Sequence, residues 1–359
     1  MLSLLLFTCN AILPMILLIL LGYFLKQKGF FTPEFLKIGN KTVFNVCLPV
    51  LLFKNIADIE QLSDIRLDVA LYVLLAIAAL ILLGFPLARR VPEPRQKGVL
   101  HQCMFRSNFA LIGVPLAELL GGSKGVATAA IISMFSIPIF NMMAVVVLSI
   151  YKDGKAAIDW KKILRGICRN PLINGVLLGL LYLLGKTLGA HAGLSNPLAG
   201  VTFLSTALAY LSRAATPLAL LVLGGQFEFQ AVGSYRKQLT AGVLVRNVFA
   251  PLVGIAPAAV LTLTGLLDFG PEVFAGLIAL FGTPIAVASA IMAEAMDNDG
   301  QLAAQLVVWT SVLYGQPLSH HLPRPCPRAV VKRNKAENRQ NLFRFCRHFC
   351  FGEITCGDS

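Results

Sequence analysis

Gly113-Val114-Pro115 interrupts an apolar run over 102–121, and Gly282-Thr283-Pro284 interrupts another over 273–295. Proline removes one backbone donor, and its ring clashes with the preceding turn of a helix. A glycine just before it lets the backbone absorb the bend. Runs of about 20 apolar residues have the length to cross a bilayer. In lipid, freed backbone groups need partners, so such interruptions persist only where they face protein or a wet cavity. The two prolines lie 169 positions apart. A second pair has nearly the same offset: Pro49, in Leu48-Pro49-Val50, and Pro217, in Thr216-Pro217-Leu218, lie 168 apart. Two pairs with nearly one offset are the mark of an internal repeat.

Composition places these runs in a membrane. Of 359 residues, 56% are hydrophobic and only 14% charged, with a mean hydropathy of +0.73. A soluble domain carries about 25% charged residues. Further apolar runs lie at 4–24, 43–57, 69–88, 126–150, 171–189, 203–225 and 240–265, and a tenth begins near Gln301 and fails after Tyr314. The second run is short and contains Pro49, which predicts a broken helix there. The N-terminal run lacks a basic leader and is followed by Lys26 and Lys28, so it reads as a retained first span.

The net charge of +13 reads as loop charge on a membrane protein, not as a nucleic-acid surface. Sixteen Lys and Arg fall in the odd-numbered loops against four in the even ones. That asymmetry predicts cytoplasmic odd loops and an external N-terminus. Five spans per half is an odd number, so the second half should lie inverted relative to the first. The expected fold is all-α, ten helices in a 5+5 inverted repeat. The first repeat takes 1–151 and the second 171–314, with a cytoplasmic linker over 152–170. Two matched breaks would cross near the bilayer midplane, with helix N-termini aimed at the crossing. Such a site favours an anion.

These stretches resemble the bacterial branch of the auxin efflux carrier family. The resemblance rests on Ser107-Asn108-Phe109-Ala110-Leu111-Ile112-Gly113-Val114-Pro115-Leu116, Asn170-Pro171-Leu172-Ile173, Ala215-Thr216-Pro217-Leu218 through Gly224-Gly225, and Gly282-Thr283-Pro284 through Ser289. Asp299-Gly300-Gln301-Leu302 matches too, and the resemblance covers roughly 1–314. It implies a secondary transporter of the cytoplasmic (inner) membrane, exporting or exchanging carboxylates such as malate, malonate or auxin. It also implies a scaffold part, a transport part and crossing broken helices at spans four and nine. Carried over, Asn108, Gly113 and Pro115 would line the crossing from one side, and Gly282, Thr283 and Pro284 from the other.

Polar residues at membrane depth are functional candidates. Arg106 either pairs with a substrate carboxylate or snorkels to the nearby surface. Arg213 lies deep in span seven, before Pro217, while Arg246 sits near the start of its span and reads as interfacial. Glu118 is a candidate for proton coupling, or else faces the outer interface. Asn45, four residues before Pro49, Asn108 and Asn141 either touch substrate or satisfy freed carbonyls. Glu294, Asp297 and Asp299 read as solvated loop residues. The chain has no phosphate-binding glycine loop, His-Glu-x-x-His or Gly-x-Ser-x-Gly, which argues for a carrier over an ATP-driven pump or a hydrolase. Expected partners are a small organic anion, the lipid bilayer, a coupling H+ or Na+, and a second copy of the chain. No nucleic acid, cofactor or metal is expected. The alternatives are a cation-coupled carrier of another substrate class with this architecture, and a non-transporting receptor or scaffold.

After Tyr314 the chain changes character. Residues 315–359 hold four of the eight Cys, and the tenth apolar run has about 14 residues. The tail reads as the product of a reading-frame shift that truncates the tenth helix. Its rival is a zinc site of Cys346, His348, Cys350 and Cys356, whose spacing fits no standard finger.

Overall fold

The computed structural model describes residues 2–58, 66–151, 165, 169–191 and 202–321. Most of the linker and the four zinc candidates lie outside the described residues. The helices are α1 Leu2–Gln27, α2 Pro33–Ala57, α3 Leu67–Arg89, α4 Pro94–Phe105, α5 Phe109–Tyr151 and α6 Pro171–His191. They continue with α7 Thr202–Gln226, α8 Arg236–Leu263, α9 Pro271–Phe281, α10 Ala288–Ala295 and α11 Gly300–His321. Among the described residues, six of these (α2, α3, α5, α6, α7 and α8) are long and apolar enough to cross a membrane. The one β feature among them is an isolated bridge.

Two expectations about the spans change. The second span is a 25-residue helix, not a short broken one. Pro49 does not break it; a π-turn over Val43–Cys47 precedes it, closed by Leu48 N–H on the carbonyl of Val43. Widening the turn accommodates the proline ring and the missing donor without interrupting the helix. The same device recurs before Pro115, at Phe109–Gly113, and before Pro251, at Val245–Phe249. Spans four and five are both carried by α5, which is two helices joined at a break and not one continuous rod. It bends at Gly122, whose φ of 57° and ψ of −149° suit a residue without a side chain. Finally, α11 does not stop at Tyr314 but continues to His321, for 22 residues.

The contacts sort the helices into two bundles. In one, α1 packs on α7, and α2 on α6 and α7. In the other, α5 packs on α9 and α4, α3 on α4, and α8 and α10 on α11. Glycines set the closest approaches. A Cβ on Gly22 would sit 2.1 Å from the carbonyl oxygen of Leu221, and one on Gly224 2.0 Å from that of Ile19. These two positions let α1 and α7 touch backbone to backbone, the packing small residues permit in lipid.

Candidate functional site

Both interruptions lie in the second bundle and meet. α4 ends at Phe105, Arg106 is extended (φ −86°, ψ 114°), and helix resumes at Phe109. α9 ends at Phe281, and α10 begins at Ala288. Between them Ser107 and Ile285 form an antiparallel bridge, and Asn108 N–H donates to the carbonyl of Pro284 at 2.8 Å. In the second break the cause is legible: Pro284 lacks an N–H and biases Thr283 away from helix. In the first break the interruption falls at Arg106–Asn108, not at Gly113-Pro115, which is helical. The two glycine-proline stretches are therefore not structural equivalents.

The freed backbone groups find partners. Ile285 N–H donates to Thr310 Oγ1 at 3.3 Å, and Thr283 Oγ1 donates to the carbonyl of Ala279 at 3.0 Å. Arg246 is fully buried, which corrects the interfacial reading. Its guanidinium donates to the carbonyls of Phe281 and Thr283 at 2.8 Å each, Leu280 at 3.3 Å and Met104 at 3.4 Å. It thus caps the C-terminal ends of α9 and α4. The reason lies in span length: α8 begins at Arg236, a turn earlier than the hydropathy suggests, so Arg246 sits deeper.

A pocket opens beside the crossing, between the two bundles. Its polar lining is Arg106, Ser107, Asn108, Asn141, Asn55 and Thr216. Leu48, Leu51, Leu52, Phe140, Leu172 and Val287 supply much of the apolar wall. The first residues of both resumed helices also line it: Phe109–Leu111 of α5, and Ala286–Ala288 leading into α10. Arg106 is 3% exposed and does not snorkel. It donates to Asn141 Oδ1 at 2.8 Å and to the thioether of Met292. Among the described residues it forms no ion pair with a carboxylate. Asn141 lines the pocket, and its Nδ2 donates to the carbonyl of Ile137 at 2.7 Å. Ser107 Oγ is buried without a hydrogen-bond partner among the described residues.

Other candidates lie apart from this pocket. Gly113 packs α5 onto α9, where a Cβ would come within 2.7 Å of the Ala279 carbonyl. Gly282, Thr283 and Pro284 build the crossing from behind the pocket wall. Pro115, Glu118, Arg213 and Pro217 are exposed. Asn45 is exposed and donates to the carbonyl of Lys41, and Pro49 is half-buried against Gly175. Asp299, read as solvated, is half-buried and caps α11 through Leu302 N–H at 2.9 Å. Tyr235 O–H and Gln96 Nε2 also donate to it. Burial, with the Asp299 carboxylate beside it, pushes Tyr235 up to about 12. Asn55 carried no sequence signal, and Thr216 none beyond its place beside Pro217. Ser107 was visible only within the Ser107-Asn108 stretch.

A family described as membrane transport protein matches residues 7–319, nearly the whole chain. The chain belongs to this family, the auxin efflux carriers of the sequence resemblance. An uncharacterized transporter of Methanothermobacter thermautotrophicus is 25% identical over 306 residues, covering 85% of this chain and 94% of its own. Another uncharacterized transporter, from Methanocaldococcus jannaschii, is 24% identical over 269 residues, covering 72% of this chain and 80% of its own. The family match runs past Tyr314 and ends within α11. As a member of this family, the protein is a membrane transporter, and its all-helical build agrees with that.

Proposed function

We propose that this transporter is a secondary carrier of small organic anions, binding a carboxylate in the pocket beside the crossing. One observation carries the reading: Arg106 is buried at the pocket wall with no carboxylate partner among the described residues. An unpaired buried cation is costly, so the arrangement favours a ligand that brings negative charge. A guanidinium suits a carboxylate because it can donate two parallel hydrogen bonds. Asn108 and the unpartnered Ser107 hydroxyl would complete the polar end, while Leu48, Leu52 and Phe140 would hold the body of the anion.

The pocket draws its walls from both bundles, so sliding one bundle past the other would carry the anion between the two sides. In this reading the chain is a 5+5 inverted repeat in the cytoplasmic membrane, with the N-terminus outside and H+ or Na+ as coupling ion. Uptake of labelled malate, malonate and benzoate into proteoliposomes tests the reading, with Arg106→Ala as the paired variant. Absence of flux for every organic anion, in protein shown to be folded, would count decisively against it.

A further inference from the structure

We propose that Arg246 strengthens the preference for an anion that Arg106 sets at the crossing, by cancelling the negative helix ends so that the positive ones dominate the pocket. The inference rests on the anion-carrier reading above.

A broken helix brings two opposite poles to the break. Each helix N-terminus carries about half a positive charge, and each C-terminus about half a negative one. Four ends meet here: the C-termini of α4 and α9, and the N-termini of α5 and α10. Uncorrected, these four ends sum to about zero and add nothing to the preference that the Arg106 charge sets. Arg246 shifts the balance among these ends. All its hydrogen bonds go to carbonyls at the two C-terminal ends or just beyond: Leu280, Phe281 and Thr283 from α9, and Met104 from α4. No described carboxylate pairs with it, so its full positive charge offsets the two negative ends.

The N-terminal ends are left to face the cargo, and they are the ends that line the pocket. Arg246 itself is fully buried and outside the lining, so it acts through the helix ends and not by touching the ligand. It is a positioning residue, whereas Arg106 is the contact residue.

Affinity of the detergent-purified full chain for benzoate, malonate and malate tests this, with benzyltrimethylammonium as the cation of similar shape. Binding is read by titration, and folding by the thermal midpoint and elution profile. The wild type is expected to bind at least one carboxylate and not the cation. Arg246→Lys keeps the charge and is expected to stay within about fivefold of wild type. Arg246→Gln keeps a donor amide but loses the charge, and is expected to weaken carboxylate binding at least tenfold while narrowing the gap to the cation. A folded Arg246→Gln protein that binds the same carboxylate within twofold of wild type overturns the inference. If the Gln variant does not fold, the Lys variant decides: retained binding supports the role of charge, and loss of tenfold or more in a folded protein overturns it. A wild type that binds none of the carboxylates defeats the anion-carrier reading itself, and the inference falls with it.

Discussion

The backbone N–H of Asn108 donates to the carbonyl oxygen of Pro284 at 2.8 Å, tying together two interruptions 176 residues apart in the chain. The bond explains how polar backbone survives at membrane depth: each break partly satisfies the other. It also presents Arg106, one residue before the Ser107–Ile285 bridge, to the pocket between the bundles.

Removing the Arg106 guanidinium should remove the anchor for the anion. Truncating one partner of a buried, hydrogen-bonded charge pair costs roughly 2–5 kcal/mol, which is tenfold or more in affinity. Arg106→Ala should therefore raise the half-saturating carboxylate concentration at least tenfold. Arg106→Lys should fall between, because an ammonium keeps the charge but not the planar fork. The concentration dependence of uptake measures both, and an unchanged curve for the Ala variant removes Arg106 from the site.

Gly113 should tolerate no side chain. A Cβ there would lie 2.7 Å from the carbonyl oxygen of Ala279 and 2.5 Å from the ring of Phe109. The backbone oxygen cannot swing away, so α5 would have to move off α9. Overpacking of this kind costs about 1–3 kcal/mol. Gly113→Val should lower the thermal midpoint in detergent by several degrees, and an unshifted midpoint would show that the two helices are not held this closely.

At Gly122 the obstacle is conformation, not space, since a Cβ there would meet nothing within 4 Å and φ is +57°. A side chain in that backbone region costs about 1–3 kcal/mol. Gly122→Ala should destabilise the bend that folds α5 back, with a lower thermal midpoint and no direct effect on carboxylate affinity in the protein that remains folded. Gain of stability on this substitution would contradict the bend.

Asp299 should prove structural. It accepts from Leu302 N–H at 2.9 Å, Gln96 Nε2 at 3.0 Å and Tyr235 O–H at 3.1 Å. Loss of an N-cap side chain costs about 1 kcal/mol, and leaving the other donors unmatched adds to it. Asp299→Ala should be clearly less stable than Asp299→Asn, which keeps one acceptor. Equal midpoints for the two variants would refute the capping role.

The helical membrane class and the second break were legible residue by residue. Pro284 has a local cause and acts where it stands. Pro49 and Pro115 have the same chemistry and a different outcome, because a π-turn ahead of each absorbs the ring. Arg246 was misread for want of one turn of helix: hydropathy placed the start of its span four residues late, at 240 instead of 236. Asp299 looked like a loop acid because its partners, Tyr235 and Gln96, are far away in the chain.

What the sequence by itself determined is the part that depends on local composition and period: apolar runs that must be helical in lipid, and a proline that removes a donor at position 284. The first break carries no such signal, since Arg106, Ser107 and Asn108 are each tolerated in helices. Only the tertiary structure decides it, because an extended Arg106–Asn108 segment is stable only when Ile285 lies alongside Ser107 and the Pro284 carbonyl accepts from Asn108 N–H. The same holds for the pocket. Arg106, Asn141 and Thr216 come from three distant segments, and packing alone brings them to one wall-lined space.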